Sequence, residues 1–425
     1  MPKMLIKSGR IIDPSTGADG IGDILIEDGQ IAEIGDSLNY NVDNVIDAKG
    51  LVVAPGLIDL HVHLREPGFT HKEDIKSGCE AAAAGGVTTV VAMPNTSPAI
   101  DSKEVICLVK NIAKTAKVKV LPVAAITQGL NGNVITDFEA LKEAGAIAFS
   151  DDGYPVSTAK IMSDAMKKAD FLGMPILAHC EDLTITDGGI MNEGEFATIL
   201  GVKGVPTASE NVGTAREIAI AMSTGTAVHI CHVSTAQSVE MIKDAKKKGV
   251  RITAETCPHY FALDDSSLLK GDADYRMSPP LRSQADRIAI IAGIMDGTID
   301  AIATDHAPHS VEEKSDFKNA PNGTIGLETS LSAGITVLVN GGYISLIKLI
   351  ELMSTKPAKI LGIDGGTLKI GNPADIVIFS EDEKWRVDVK KLHGKSENSV
   401  FKGIELKGKV KYTICDGKLV YRDED

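Results

Sequence analysis

The 425-residue chain is poor in aromatics, which make up 4% of it with a single tryptophan, and it has six cysteines. Those cysteines (Cys79, Cys107, Cys180, Cys231, Cys257 and Cys415) are scattered, with no C-x-x-C pair. A dense disulfide framework is therefore excluded, and reduced thiols are the expectation. No uncharged apolar run approaches the ~18 residues of a membrane-spanning helix. The opening MPKMLIKSGRIIDPSTG lacks the apolar core of a signal peptide, so a cytoplasmic protein is expected. Positive charge is also in deficit: 44 Lys and Arg against 58 Asp and Glu give a net charge of −14, which argues against a nucleic-acid surface.

What is present falls into two styles. Both ends carry short alternating segments broken by glycine, such as DILIEDGQIAEIG and KVKYTICDGKLVYR, and the pairs Asp28-Gly29 and Asp416-Gly417 read as tight hairpin turns. One small β-sandwich-like module built from both termini, residues 1–53 and 363–425, is expected. Between them, residues 54–362 alternate short apolar runs with helix-like segments, several opening on Ser, Thr or Asp. Eight such β units imply a parallel sheet closed on itself, a TIM (β/α)8 barrel. No Gly-rich phosphate loop follows the first unit, which disfavours an open doubly wound sheet.

The stretch LVVAPGLIDLHVHLREPG, residues 51–68, organises the rest. Strand alternation would put Asp59, His61 and His63 on one face and Ile58, Leu60, Val62 and Leu64 on the other. Further polar residues end the later units: Asn95, Asp151 and Asp152, His179, His232 and Asp305. In a barrel these exits share one rim, and so do the long loops after the fifth, seventh and eighth strands. His229 lies three residues before His232 and would face the other way, a packing or supporting residue. Loop polarity alone does not account for histidine recurring at apolar strand ends. Zinc takes about four such ligands, and it lowers the pKa of a bound water to about 7 while polarising a carbonyl, so hydrolysis is the implied reaction class. An aspartate on the last strand could carry the proton.

At DLHVHLREPG (59–68) and ATDHAPHSVEEK (303–314) the chain resembles the amidohydrolase superfamily and, within it, the dihydroorotase family of bacterial and archaeal type. That resemblance covers nearly the whole chain. It implies reversible cyclisation of N-carbamoyl-L-aspartate to L-dihydroorotate in pyrimidine biosynthesis, with one or two zinc ions per subunit. His61 and His63 would bind the more buried metal and His179 and His232 the other. Asp305 would be both ligand and proton shuttle. Many relatives bridge their metals with a carboxylated lysine; here the family's aspartate variant fits Asp152, with Asp151 the weaker candidate. Arg65, Asn95 and His309 would hold the substrate carboxylate, with His63 also facing substrate. Ser278 (in S-P-P-L-R where relatives often read N-P-P-L-R), Asn322 and Gly323 (in P-N-G for P-F-G) would flank the ring.

A homodimer is expected from the family, and association with aspartate transcarbamoylase is open. The rivals are another cyclic amidase, of hydantoinase or allantoinase type, and a catalytically silent partner protein; the full ligand set disfavours the second. The 307–326 loop, long and polar, is expected to close over substrate, so its proteolytic susceptibility should fall when dihydroorotate is added. Opposite-signed pH profiles are expected for ring opening and ring closure, and parallel profiles would count against this scheme.

Overall fold

The computed structural model describes residues 3–42 and 44–424. Eight parallel strands form its centre: β1 (Leu57–Val62), β2 (Val87–Ala92), β3 (Lys119–Ala125), β4 (Ala148–Ser150), β5 (Leu177–Ala178), β6 (Val228–Ile230), β7 (Ile252–Thr256) and β8 (Ala301–Ile302). They pair in chain order as two four-stranded sheets. Parallel bridges Phe149↔Ile176 and Val62↔His306 join those sheets at both seams. The result is a closed barrel, as the alternation of apolar runs and helices implies.

The helices start where the sequence offers caps. Ser102, Thr158 and Thr235 each accept a bond from a backbone N–H of the following first turn, and Ser283 forms a reciprocal capping box with Asp286. Their apolar faces cover the outside of the barrel in the largest core cluster, which includes Val62, Leu64, Val90 and Ile230. A separate cluster fills the interior, where Ile58 and Leu60 meet Val91, Val123, Leu177 and Cys231.

Those two clusters correct the expected alternation along β1. Leu60 packs inside with Ile58, whereas Val62 and Leu64 pack outside, so the four do not share a face. The pairing register with β2 shifts between Asp59 and Val62. At this break the Asp59 carboxylate accepts the His61 N–H at 3.2 Å and the Thr304 N–H at 3.0 Å, tying β1 to the segment after β8.

The chain ends meet in one eight-stranded sheet. Val52–Pro55 pairs antiparallel with Ile376–Arg386, the link between N- and C-terminal strands. Both expected hairpins are present with left-handed turn residues, Asp28 (φ 53°) before Gly29 (81°) and Asp416 (47°) before Gly417 (71°), the backbone that two-residue turns favour. No helix among the described residues is long and apolar enough to cross a membrane.

Candidate metal centre and substrate wall

The barrel strands deliver their terminal side chains to one buried cluster. The Asp152 carboxylate lies at its middle: Oδ1 is 3.2 Å from His61 Nε2, 3.4 Å from His179 Nδ1 and 3.5 Å from His232 Nε2, while Oδ2 is 3.5 Å from His63 Nε2. Asp305 Oδ1 approaches His63 Nε2 at 3.0 Å and His61 Nε2 at 3.6 Å. Two overlapping triads, His61/Asp152/His232 and His61/His63/Asp305, have their donor atoms within 4.8 Å of one another. Asp151 points elsewhere, accepting from the backbone N–H and hydroxyl of Thr127. Of the two neighbouring aspartates, it is Asp152 that reaches the imidazoles.

Reaching this point strains the backbone. His232 (φ 36°), Asp305 (49°) and Arg65 (60°) all adopt left-handed conformations unusual for residues with a side chain, the kind of cost that clusters at functional sites. The turn at His232 also brings it into the cluster although His229, three residues earlier, faces the interior too.

Electrostatics follow the geometry. Burial opposes ionisation of Asp152, but attraction to His61 and contacts with His179 and His232 hold its carboxyl well below the usual range. Burial likewise acts against charge on Asp305 and is outweighed by His61 and His63. Both carboxylates are therefore anionic. His61 Nε2 and Asp152 Oδ1 are buried and, among the described residues, have no partner in hydrogen-bond geometry. Buried polar atoms of this kind call for a partner. Four imidazoles and two carboxylates converging on such atoms fit a divalent transition metal, the usual taker of mixed nitrogen and oxygen donors.

Carboxylates behind the ligands were not singled out from sequence. Glu255 Oε1 is 3.1 Å from His61 Nδ1 and its Oε2 is 3.2 Å from His229 Nε2. Burial is outweighed by His229 and His61, leaving the Glu255 carboxyl at about 2. An anion at Nδ1 makes that nitrogen the donor and turns the Nε2 lone pair toward the cluster. On the opposite side Glu181 Oε2 is 3.1 Å from His179 Nε2. The sign available in sequence was an acid inside an apolar strand, as in RITAET (251–256). The variant Glu255→Gln is expected to weaken metal binding about 10- to 100-fold while the fold is kept, as read by metal titration beside a thermal melt.

The expected substrate residues divide. Arg65 Nη2 is 3.3 Å from His309 Nε2, and its Nε donates to Pro308 O at 3.2 Å. Lys72 Nζ approaches His309 Nδ1 at 3.4 Å, so His309 Nε2–H donates to Asn322 O at 2.9 Å. Burial, together with Arg65, Lys314 and Lys72, pulls His309 down to about 3; the ring is neutral. Gly323 (φ 142°) closes this wall; a side-chain carbon there would lie 2.7 Å from Ala307, so only glycine fits. Asn95 stands beside the metal cluster, accepting from His63 Nδ1 at 2.7 Å. Ser278 donates to Glu181, the acid that backs His179, at 3.3 Å.

Comparison with known proteins bears on this geometry. A family model described as "Dihydro-orotase-like" matches residues 50–238. The chain is 46% identical over 423 residues to a dihydroorotase of Acetivibrio thermocellus and 49% identical over 422 residues to one of Citrifermentans bemidjiense, with 99% of each chain covered in both cases. The chain belongs to the dihydroorotase family. Solved structures of similar fold include an L-hydantoinase (dihydropyrimidinase) from Arthrobacter aurescens, at TM-score 0.91 and 27% identity, covering 100% of this chain and 97% of that one. A D-hydantoinase matches at TM-score 0.88 and 28% identity, covering 100% and 96%. The dihydroorotase relatives are much closer in sequence than these hydantoinases. The chain is thus an enzyme acting on a small cyclic amide.

Proposed function

We propose that the site interconverts N-carbamoyl-L-aspartate and L-dihydroorotate on zinc, one or two ions per subunit, as a step of pyrimidine synthesis. The observation that carries this reading is the Arg65–His309 pair standing beside four imidazoles gathered on Asp152. Dihydroorotate offers a carboxylate for the guanidinium next to an amide for the metal cluster, whereas an unsubstituted hydantoin offers only the amide. In this reading His61, His63 and Asp305 would hold one ion and His179 and His232 the other, with Asp152 the carboxylate shared between the two sets. When bound, the metal lowers the pKa of water and draws electron density from the ring carbonyl. Asp305 accepts the proton of the attacking water and passes it to the departing ring nitrogen; ring closure runs these transfers backwards. Arg65 binds the substrate carboxylate through charge-assisted hydrogen bonds, Asn95 and His309 complete its recognition, and Ser278, Asn322 and Gly323 flank the ring.

A substrate panel tests this. Turnover is expected with dihydroorotate and not with allantoin or unsubstituted hydantoin, and the opposite order would assign a hydantoinase. Arg65→Ala is expected to raise KM for dihydroorotate about 30-fold or more, since truncating one partner of a buried charge pair costs about 2–5 kcal/mol, with bound metal unchanged.

The proposal extends to the assembly. Residues 54–362 form the catalytic barrel, and 1–53 with 363–425 form a sandwich-like module. Its own apolar core, which includes Ile6, Ile24, Ile46, Ile376 and Ile414, supports that division. The enzyme is cytoplasmic and pairs as a homodimer, with aspartate transcarbamoylase a candidate associate; sedimentation with and without that protein tests both.

A further inference from the structure

Within the motif ATDHAPHSVEEK the metal cluster and the carboxylate wall leave the last residue, Lys314, without a part. The residue is 9% exposed, a degree of burial lysine rarely reaches without a paired anion. Among the described residues it makes no ion pair with a carboxylate. Its ammonium carries three N–H donors and meets three backbone carbonyls, those of Ala273 at 3.0 Å, Arg276 at 3.2 Å and Pro321 at 2.9 Å.

Those carbonyls belong to two loops. Ala273 and Arg276 lie on the loop after β7, and Pro321 lies on the loop after β8, next to Asn322 and Gly323. Arg276 O also accepts the Gly323 N–H at 2.8 Å, so one carbonyl receives both the lysine and the glycine. From there the chain of contacts runs from Asn322 O to His309 Nε2 and on to Arg65.

We propose that Lys314 is a positioning residue for substrate: it clamps the 321–323 segment to the 273–276 turn and so sets the distance of His309 and Gly323 from Arg65. One ammonium donates to all three carbonyls, whereas a neutral aliphatic side chain would leave Pro321 O without that donor and Ala273 O and Arg276 O with only the Arg276 and Gly323 N–H groups. Burial does pull this ammonium down to about 7 against the attraction of Asp274. The position thus carries an electrostatic cost that packing alone does not account for.

This inference rests on the wall being the substrate-carboxylate site, and the experiment separates the two. Full-length, metal-loaded Lys314→Met is assayed for ring opening of dihydroorotate beside Arg65→Ala. The clamp predicts a KM raised about tenfold or more, as expected when hydrogen bonds to a charged group are lost. The kcat should stay within about threefold of wild type and metal content should be equal. Hydrogen exchange at the Gly323 amide should be faster, a local effect that general destabilisation would not single out. Lys314→Gln, which keeps two donors, should fall between, and it supplies the reading if the methionine variant does not fold. Unchanged KM and unchanged Gly323 exchange would overturn the clamp, as would a fall in kcat at constant KM. If Arg65→Ala also leaves KM unchanged, the substrate wall itself is wrong; if Arg65→Ala raises KM and Lys314→Met does not, only the clamp is.

Discussion

Asp305→Asn should lower kcat for ring opening by about 10²–10⁴, the contribution usual for a positioned proton-transfer group. The carboxylate sits 3.0 Å from His63 Nε2 and 3.6 Å from His61 Nε2, so it touches the imidazoles of the triad where the proposed reading places the ring amide. An amide of the same shape fills that space, so the fold and thermal midpoint should change little. It cannot take up the proton of an attacking water, and so the loss falls on kcat. A variant within threefold of wild-type kcat would show that the proton travels by another route.

The second large effect is expected at Asp152. Its two oxygens contact all four clustered histidines at 3.2–3.5 Å, and it is the only carboxylate in the described cluster that reaches His179 and His232 as well as His61. Asp152→Ala should weaken metal binding by more than about 100-fold, because loss of even a supporting partner costs about 10–100-fold. Activity should fall with the metal content. Asp151→Ala is the informative contrast. Burial pushes its carboxyl up to about 6 against bonds from Thr127, and it lies outside the cluster, so metal content should stay at wild-type level. If Asp151→Ala loses metal and Asp152→Ala retains it, the assignment of the bridge is reversed.

Much of this was legible in the sequence because barrel strands advertise themselves. Short apolar runs bounded by capped helices recur in order, and the polar residue ending each run marks the rim. Local periodicity failed where tertiary contacts bend the chain. The even alternation expected for Ile58 to Leu64 breaks because Asp59 anchors two backbone N–H groups. The opposite facing expected for His229 and His232 fails because His232 takes a left-handed conformation. Glu255 and Glu181 escaped notice for a different reason: an acid supporting a ligand is defined by a partner distant in the chain. Glu255 and His61 are separated by 194 residues. Lys314 stood in plain view inside a specific motif, but nothing in the string shows that its three partners are backbone carbonyls.

The central claim is that these far-separated side chains form one metal centre that performs the chemistry. Metal should be quantified on protein purified without chelator, then stripped, then reloaded with zinc, with ring-opening of dihydroorotate measured at each stage. The account predicts about one to two equivalents per subunit, activity lost on stripping and recovered on reloading. Full ring-opening activity in protein verified to be metal-free would contradict it.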